Sequence, residues 1–118
     1  MAKYMILIYG DDRQWAAMSV PEQQKIDEGH RAFRAAAGVA VLAGEELEPA
    51  PMATSLRADA TGRVTTTDGP FLETKEALGG YYVVEADDLD QVIALASTLY
   101  EVSAGHSGVE IRPVVHHG

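Results

Sequence analysis

Apolar residues in this chain follow two rhythms, an alternation of period two in short runs and a three-and-four spacing in two longer ones. Lys3–Tyr9 (KYMILIY) opens the first kind, rich in aromatic and β-branched residues and closed by Gly10, Asp11 and Asp12, which favour a turn. Tyr4, Ile6 and Ile8 share one face of such a strand and Met5, Leu7 and Tyr9 the other, so both faces need cover. Ser19-Val20-Pro21-Glu22 reads as a helix start, with Ser19 as N-cap, Glu22 completing a capping box, and Pro21 tolerated in the first turn. The helix is expected to run to about Ala37, where Gly38 stops it. Its apolar stripe is Ile26, Gly29, His30, Phe33, Ala36 and Ala37, with a histidine in the middle.

Val39–Ala43 predicts a second strand, after which the prolines of LEPAPM interrupt regular pairing. Thr54–Ala58 and Arg63–Thr67 flank Asp59-Ala60-Thr61-Gly62 and predict a hairpin. Tyr81–Glu85 predicts a further strand, apolar on both faces. Asp87 and Asp88 then offer N-caps to a second helix carrying Leu89, Val92, Ile93, Ala96, Leu99 and Tyr100. Val109–Val115 predicts the last strand, and Pro113 suits an edge position.

The order β-α-β, hairpin, β-α-β is the split βαβ pattern of an α+β, ferredoxin-like antiparallel sheet, with two helices on one face and one domain over residues 1–118. The other face would expose the alternate apolar set. Burial by a second copy is the simplest remedy, so we expect a homodimer through the sheet face, a dimeric α+β barrel with a pocket near the sheet centre or the dimer seam.

Charge narrows the partners. With 18 acidic against 9 basic residues the chain carries −9, which argues against nucleic acid and anionic membrane, since both reward clustered Lys and Arg. No cysteine occurs, so disulfides, thiolate nucleophiles and cysteine-based metal sites are excluded, in keeping with a cytoplasmic protein. The first apolar run is too short for a signal segment or a spanning helix. The glycines at 79–80 precede a strand rather than opening a helix, the wrong context for a dinucleotide fingerprint, and no cofactor is expected. His106, His116 and His117 lack the spacing of a preorganised metal site, so no metal is expected either.

Candidate chemistry gathers at two places. His30 is the ionisable residue on the first helix's apolar stripe, where burial and a neighbouring carboxylate would tune it for acid/base work. DGPFLETKE (68–76) brings Asp68, Glu73 and Lys75 together beside a Gly-Pro step that fixes the chain's path, with Phe71 expected to point inward. Asp68 is a candidate acid or base, whereas Glu73 and Lys75 serve equally as substrate ligands or as a solvated local pair. Tyr9 and Tyr82 are candidate hydrogen-bond donors to a ligand or plain packing residues. Glu110 and Arg112 share one face of the last strand, lining a polar cavity if that face turns inward and forming a surface pair if it does not. Trp15 fits the pocket mouth or the dimer edge.

KYMILIYGD (Lys3–Asp11), VLAGEEL (Val41–Leu47), TDGPFLETKEALGGYY (Thr67–Tyr82) and VEIRPV (Val109–Val114), in this order, resemble the YCII-related family and specifically its DGPF branch. The resemblance covers essentially the whole chain and implies a ferredoxin-like, dimeric α+β barrel. It further implies either enzymes with a histidine and an aspartate in a cleft or proteins linked with extracytoplasmic-function sigma factors. Two positions depart from the family pattern: the YCII-type helix histidine lies earlier relative to the terminating glycine, and the Cys-Pro step of many DGPF members is replaced by Leu99-Tyr100-Glu101-Val102. Two functions follow. One is a small-molecule enzyme of isomerase, lyase or hydrolase type in which His30 or Asp68 moves a proton and Tyr9, Tyr82 or Arg112 positions the substrate. The other is a non-catalytic binding or regulatory module whose acidic surface docks a basic protein.

Overall fold

In the computed structural model, which describes residues 1–117, β1 (Ala2–Gly10) is the strand on which the other elements assemble. It pairs antiparallel with β5 (Ala77–Ala86) on one side and β6 (Ser107–Pro113) on the other, and β2 (Val41–Glu46) completes the order β2-β5-β1-β6. β3 (Thr54–Ala58) and β4 (Val64–Asp68) form a separate hairpin. Between strands lie α1 (Asp12–Ala16), α2 (Val20–Ala37) and α3 (Leu89–Ala96). The arrangement is α+β and ferredoxin-like. Among the described residues, no helix is long and apolar enough to cross a membrane.

Local chemistry sets the helix ends. Ser19 caps α2 by accepting from the Glu22 amide at 3.3 Å, and Gly38 ends it at φ +54°, a conformation that disfavours any side chain. Asp88 caps α3 through the Gln91 amide at 2.9 Å. The helix stops at Ala96, short of the expected stripe, because the Ser97 and Thr98 hydroxyls donate back to the carbonyls of Ile93 and Leu95 at 2.6 and 2.7 Å. Leu89 and Ile93 are accordingly half exposed, while Val92, Ala96 and Leu99 are buried.

Strand alternation divides the sheet's side chains. Tyr4, Ile6 and Ile8 of β1 and Tyr82, Val84 and Ala86 of β5 face the helices and pack with Phe33, Ala37, Val92, Ala96 and Leu99. Leu7, Met5, Tyr9, Tyr81 and Val83 fall on the opposite face by the same alternation.

Several expectations are corrected. Asp11 caps a helix, α1, where only a turn was expected; its carboxylate accepts from the Arg13 amide at 2.9 Å. β2 begins at Val41 rather than Val39, because Gly38–Ala40 forms a 3-10 turn after the helix stop. β5 begins at Ala77 rather than Tyr81, so the glycine pair lies inside a strand; Gly79 is the extra residue of a bulge, since Ile8 faces Gly80 and Tyr9 faces Leu78. Ala36 lies outside the buried stripe. Phe71 points outward, 57% exposed, with the Arg57 guanidinium 3.9 Å above its ring. The hairpin pairs with itself alone, so Phe71 borders an open apolar depression rather than the core under the helices. The loop is nonetheless anchored: Gly69, at φ +105°, donates to the Ala53 carbonyl at 2.7 Å and accepts from the Ser55 hydroxyl at 2.8 Å.

Phe33 is fully buried and carries α2 onto the sheet, its ring 4.4 Å from that of Tyr82. Phe33→Ala is expected to lower unfolding free energy by about 3–5 kcal/mol in denaturant titration, through lost burial and the cavity left behind.

Candidate functional site

The helix-facing side of the sheet is missing side chains where β2 and β5 meet. Gly44, Gly79 and Gly80 leave bare backbone there, and a cavity of about 530 Å³ opens between it and α2. The glycines are required. A Cβ at Gly44 would press on the Tyr82 ring, and one at Gly79 or Gly10 would collide with the indole of Trp15. Trp15, which α1 delivers, lines the cavity and is fixed by an Nε1–H donated to the Ser107 hydroxyl at 2.9 Å.

Three polar side chains meet in the cavity wall. His30, on α2, places Nδ1 2.6 Å from the Tyr82 hydroxyl of β5 and Nε2 2.7 Å from Oε2 of Glu101, in the 3-10 turn Tyr100–Val102 that follows α3. Glu101 is 5% exposed, and its second oxygen has no hydrogen-bond partner, so His30 is its one polar anchor among the described residues. The pairing dictates the tautomer. A carboxylate only accepts, so Nε2 carries a proton; in the neutral ring Nδ1 is then an acceptor, and the Tyr82 hydroxyl donates to it. Burial pushes the Tyr82 phenol above its ordinary value of 10.0; the positive charge of Arg34 opposes this and the negative charge of Glu101 adds to it. Tyr82 is therefore a protonated donor across the neutral range. Arg34 holds its guanidinium 5.9 Å from the Tyr82 ring centroid.

A second network braces the wall from behind. His106 Nδ1 lies 2.7 Å from the Ser107 hydroxyl, its Nε2 lies 3.5 Å from Glu22, and Glu22 accepts from the Tyr100 hydroxyl at 2.9 Å. This chain of contacts joins the start of α2 to the turn that carries Glu101.

Comparison with known proteins gives the lineage. Residues 2–116 match the model of the YCII-related domain. The chain belongs to the YCII-related family. It is also similar to an uncharacterised protein of Rhizobium meliloti (strain 1021), 32% identical over 116 residues that cover 94% of this chain and 90% of the relative.

Of the residues singled out from sequence, the YCII-related fold brings His30 and Tyr82 together in the cavity. The others lie elsewhere. Asp68 ends β4 on the exposed hairpin, and Glu73 and Lys75 are exposed in the loop after it. Tyr9 sits on the opposite face of the sheet from Tyr82, beside an apolar depression that Leu47, Met52, Phe71 and Leu78 also line. Arg112 pairs with Glu110 at 2.7 Å on the exposed edge strand, the surface alternative of the two open for that pair. Among the described residues, no group of three or more His, Asp or Glu is placed to hold a metal ion. Glu101 was missed. It lies 71 residues from His30 in a stretch without periodicity, and its one sequence signal was an acidic residue between apolar neighbours.

The raised Tyr82 phenol has a measurable consequence. Because the folded state holds this proton above the ordinary tyrosine value, its contribution to stability is complete below pH 10.0 and is lost as pH rises through the folded value. The Glu22 hydrogen bond also raises Tyr100, so spectrophotometric titration of phenolate absorbance is expected to show late titration that loses one tyrosine's amplitude in Tyr82→Phe, and the alkaline fall in stability is expected to be shallower in that variant.

Proposed function

We propose that this YCII-related protein is a small-molecule enzyme of acid/base type, in the isomerase, lyase or hydrolase class, whose working group is the Tyr82–His30–Glu101 relay. The observation that supports this reading is the unbroken pair of short contacts, 2.6 and 2.7 Å, running from a cavity-lining phenol to a buried carboxylate. In the resting arrangement the Tyr82 proton points at His30, Arg34 donates towards the phenol oxygen, and the second lone pair of that oxygen is left for the substrate. A substrate proton passes to that oxygen as the phenol proton passes to Nδ1, which leaves an imidazolium held between Tyr82 and the Glu101 carboxylate. Reversal delivers a proton to the same or a neighbouring substrate atom, as isomerisation and elimination both need. Buried Glu101 stabilises the imidazolium because the low-dielectric surroundings strengthen the pair. Asp68 has no part in this scheme, since the hairpin holds it away from the relay. A cysteine-free chain suits a reducing compartment, and we place the activity in the cytoplasm.

With a substrate identified by turnover screening, His30→Gln and Tyr82→Phe are each expected to lower kcat by about 10²–10⁴-fold while circular dichroism stays unchanged. Asp68→Asn is expected to leave kcat within about threefold, far below that range. Full activity in both relay variants would remove the assignment.

We also propose that two copies pack through the sheet face turned away from the helices. Met5, Tyr81 and Val83 are part-exposed there and no helix of the same copy covers them, and the hairpin region adds Met52, Leu56, Phe71 and Leu72, each more than half exposed. Such a contiguous surface is unusual on a monomer. Light scattering coupled to size exclusion is expected to give twice the chain mass for the wild type and the chain mass for Val83→Lys; a monomeric wild type would contradict the pairing.

A further inference from the structure

The cavity holds more chemistry than the relay uses, and its walls differ. α2 presents two cations to the cavity, Arg34, four positions beyond His30 and on its side of the helix, and Arg31, three positions before Arg34. Neither belongs to any ion pair among the described residues. Arg34 in particular stands over the Tyr82 ring, beside the atom that exchanges the proton. Across the cavity the register places Glu46 on the same sheet face as Gly44 and Gly80, while Glu45 pairs with Tyr81 on the other face. Asp27, at the mouth, accepts from the Gln23 amide at 3.3 Å. The Tyr82 ring lies over Gly44 and the Trp15 indole over Gly79, so the glycines let both rings sit close to the sheet, and Trp15 forms an aromatic wall of the cavity.

Resting on the reading of this cavity as a proton-transfer site, we propose that its substrate is a small planar carboxylate, bound through Arg34 with its flat conjugated body against the Trp15 indole. A carboxylate matches the planar fork of a guanidinium, which donates two parallel hydrogen bonds to it. The charge count selects a monoanion over a phosphate: the chain is −9 overall, and Asp27, Glu45, Glu46 and Glu101 line the cavity against two arginines, so a doubly charged ligand would meet more repulsion than a carboxylate held at Arg34. A flat body suits the aromatic wall, which offers a face to stack on, and the cavity's 530 Å³ accommodates a ligand of about one ring. The chemistry agrees. Pairing with Arg34 neutralises the carboxylate and so eases loss of a conjugated proton to the relay, and the same charge stabilises the anion that forms.

Trp15 is the sole tryptophan of the chain, so its fluorescence reports ligand at this wall directly. Full-length protein is titrated with benzoate, with its neutral isostere benzamide, with the non-planar cyclohexanecarboxylate, and with inorganic phosphate. The expected result is saturable quenching by benzoate, with benzamide and cyclohexanecarboxylate each at least about tenfold weaker, a difference of about 1.4 kcal/mol, and no competition from phosphate. Arg34→Gln is expected to abolish the preference for benzoate over benzamide while circular dichroism stays unchanged; Arg31→Gln controls for a cation that substitutes for Arg34. Equal titration by benzoate and benzamide, a preference that survives in both arginine variants, or no saturable quenching overturns the carboxylate. Equal binding of cyclohexanecarboxylate overturns the planar body, and competition by phosphate overturns the monoanion. The titration reads binding alone, so the carboxylate proposal fails here whatever the relay variants do to turnover, and the relay fails in turnover whatever is bound here.

Discussion

The constraint on which this structure turns is a carboxylate buried with one partner. Glu101 is held at 5% exposure at the end of the segment after α3, and His30 supplies its hydrogen bond across the gap to α2. Removing one member of such a pair leaves an uncompensated polar group in the interior, so the docking of α2 and the position of the Tyr100–Val102 turn are coupled. The coupling reaches the sheet, because the same imidazole accepts from Tyr82 on β5. One histidine therefore ties together the long helix, the turn and a central strand. A ring held from both sides has a fixed tautomer and orientation, which is what proton transfer requires.

Around this knot the sheet does two jobs with one alternation. Even-numbered positions of β1 and β5 fill the core under the helices until the series reaches Gly80, where the absence of a side chain turns core into cavity. The bulge at Gly79 makes the same point in backbone terms: an extra residue in β5 gives Trp15 a place to lie flat. Stability and site are thus separated by a few residues on one strand. Phe33 packs against one part of Tyr82, and His30 meets its hydroxyl.

The fold was legible because its signals are periodic. Alternation in KYMILIY and YYVVE and the capped stripes of both helices carried the ferredoxin-like order, and Ser19, Gly38 and Asp88 act at the helix ends where the sequence indicated. His30 was legible for a related reason, as the polar break in an apolar stripe. Glu101 was not, because a 3-10 turn has no period against which a buried acid stands out. Nor was the separation of Tyr82 from Tyr9, since residues on different strands share a face only through a register that no local pattern encodes. DGPFLETKE misled for a third reason. Its carboxylates are dense in sequence, but the hairpin carries them away from the sheet, and density without burial leaves them solvated.

The hydrogen-bond arrangement at His30 is the claim most open to direct examination. Nitrogen NMR of protein labelled at histidine distinguishes the two ring nitrogens and reports which one bears the proton. His30 in its neutral form is expected to be the Nε2–H tautomer, with Nδ1 showing the shift of a hydrogen-bonded acceptor that moves towards the free value in Tyr82→Phe. A neutral His30 protonated at Nδ1, or an Nδ1 signal indifferent to loss of the Tyr82 hydroxyl, would contradict it.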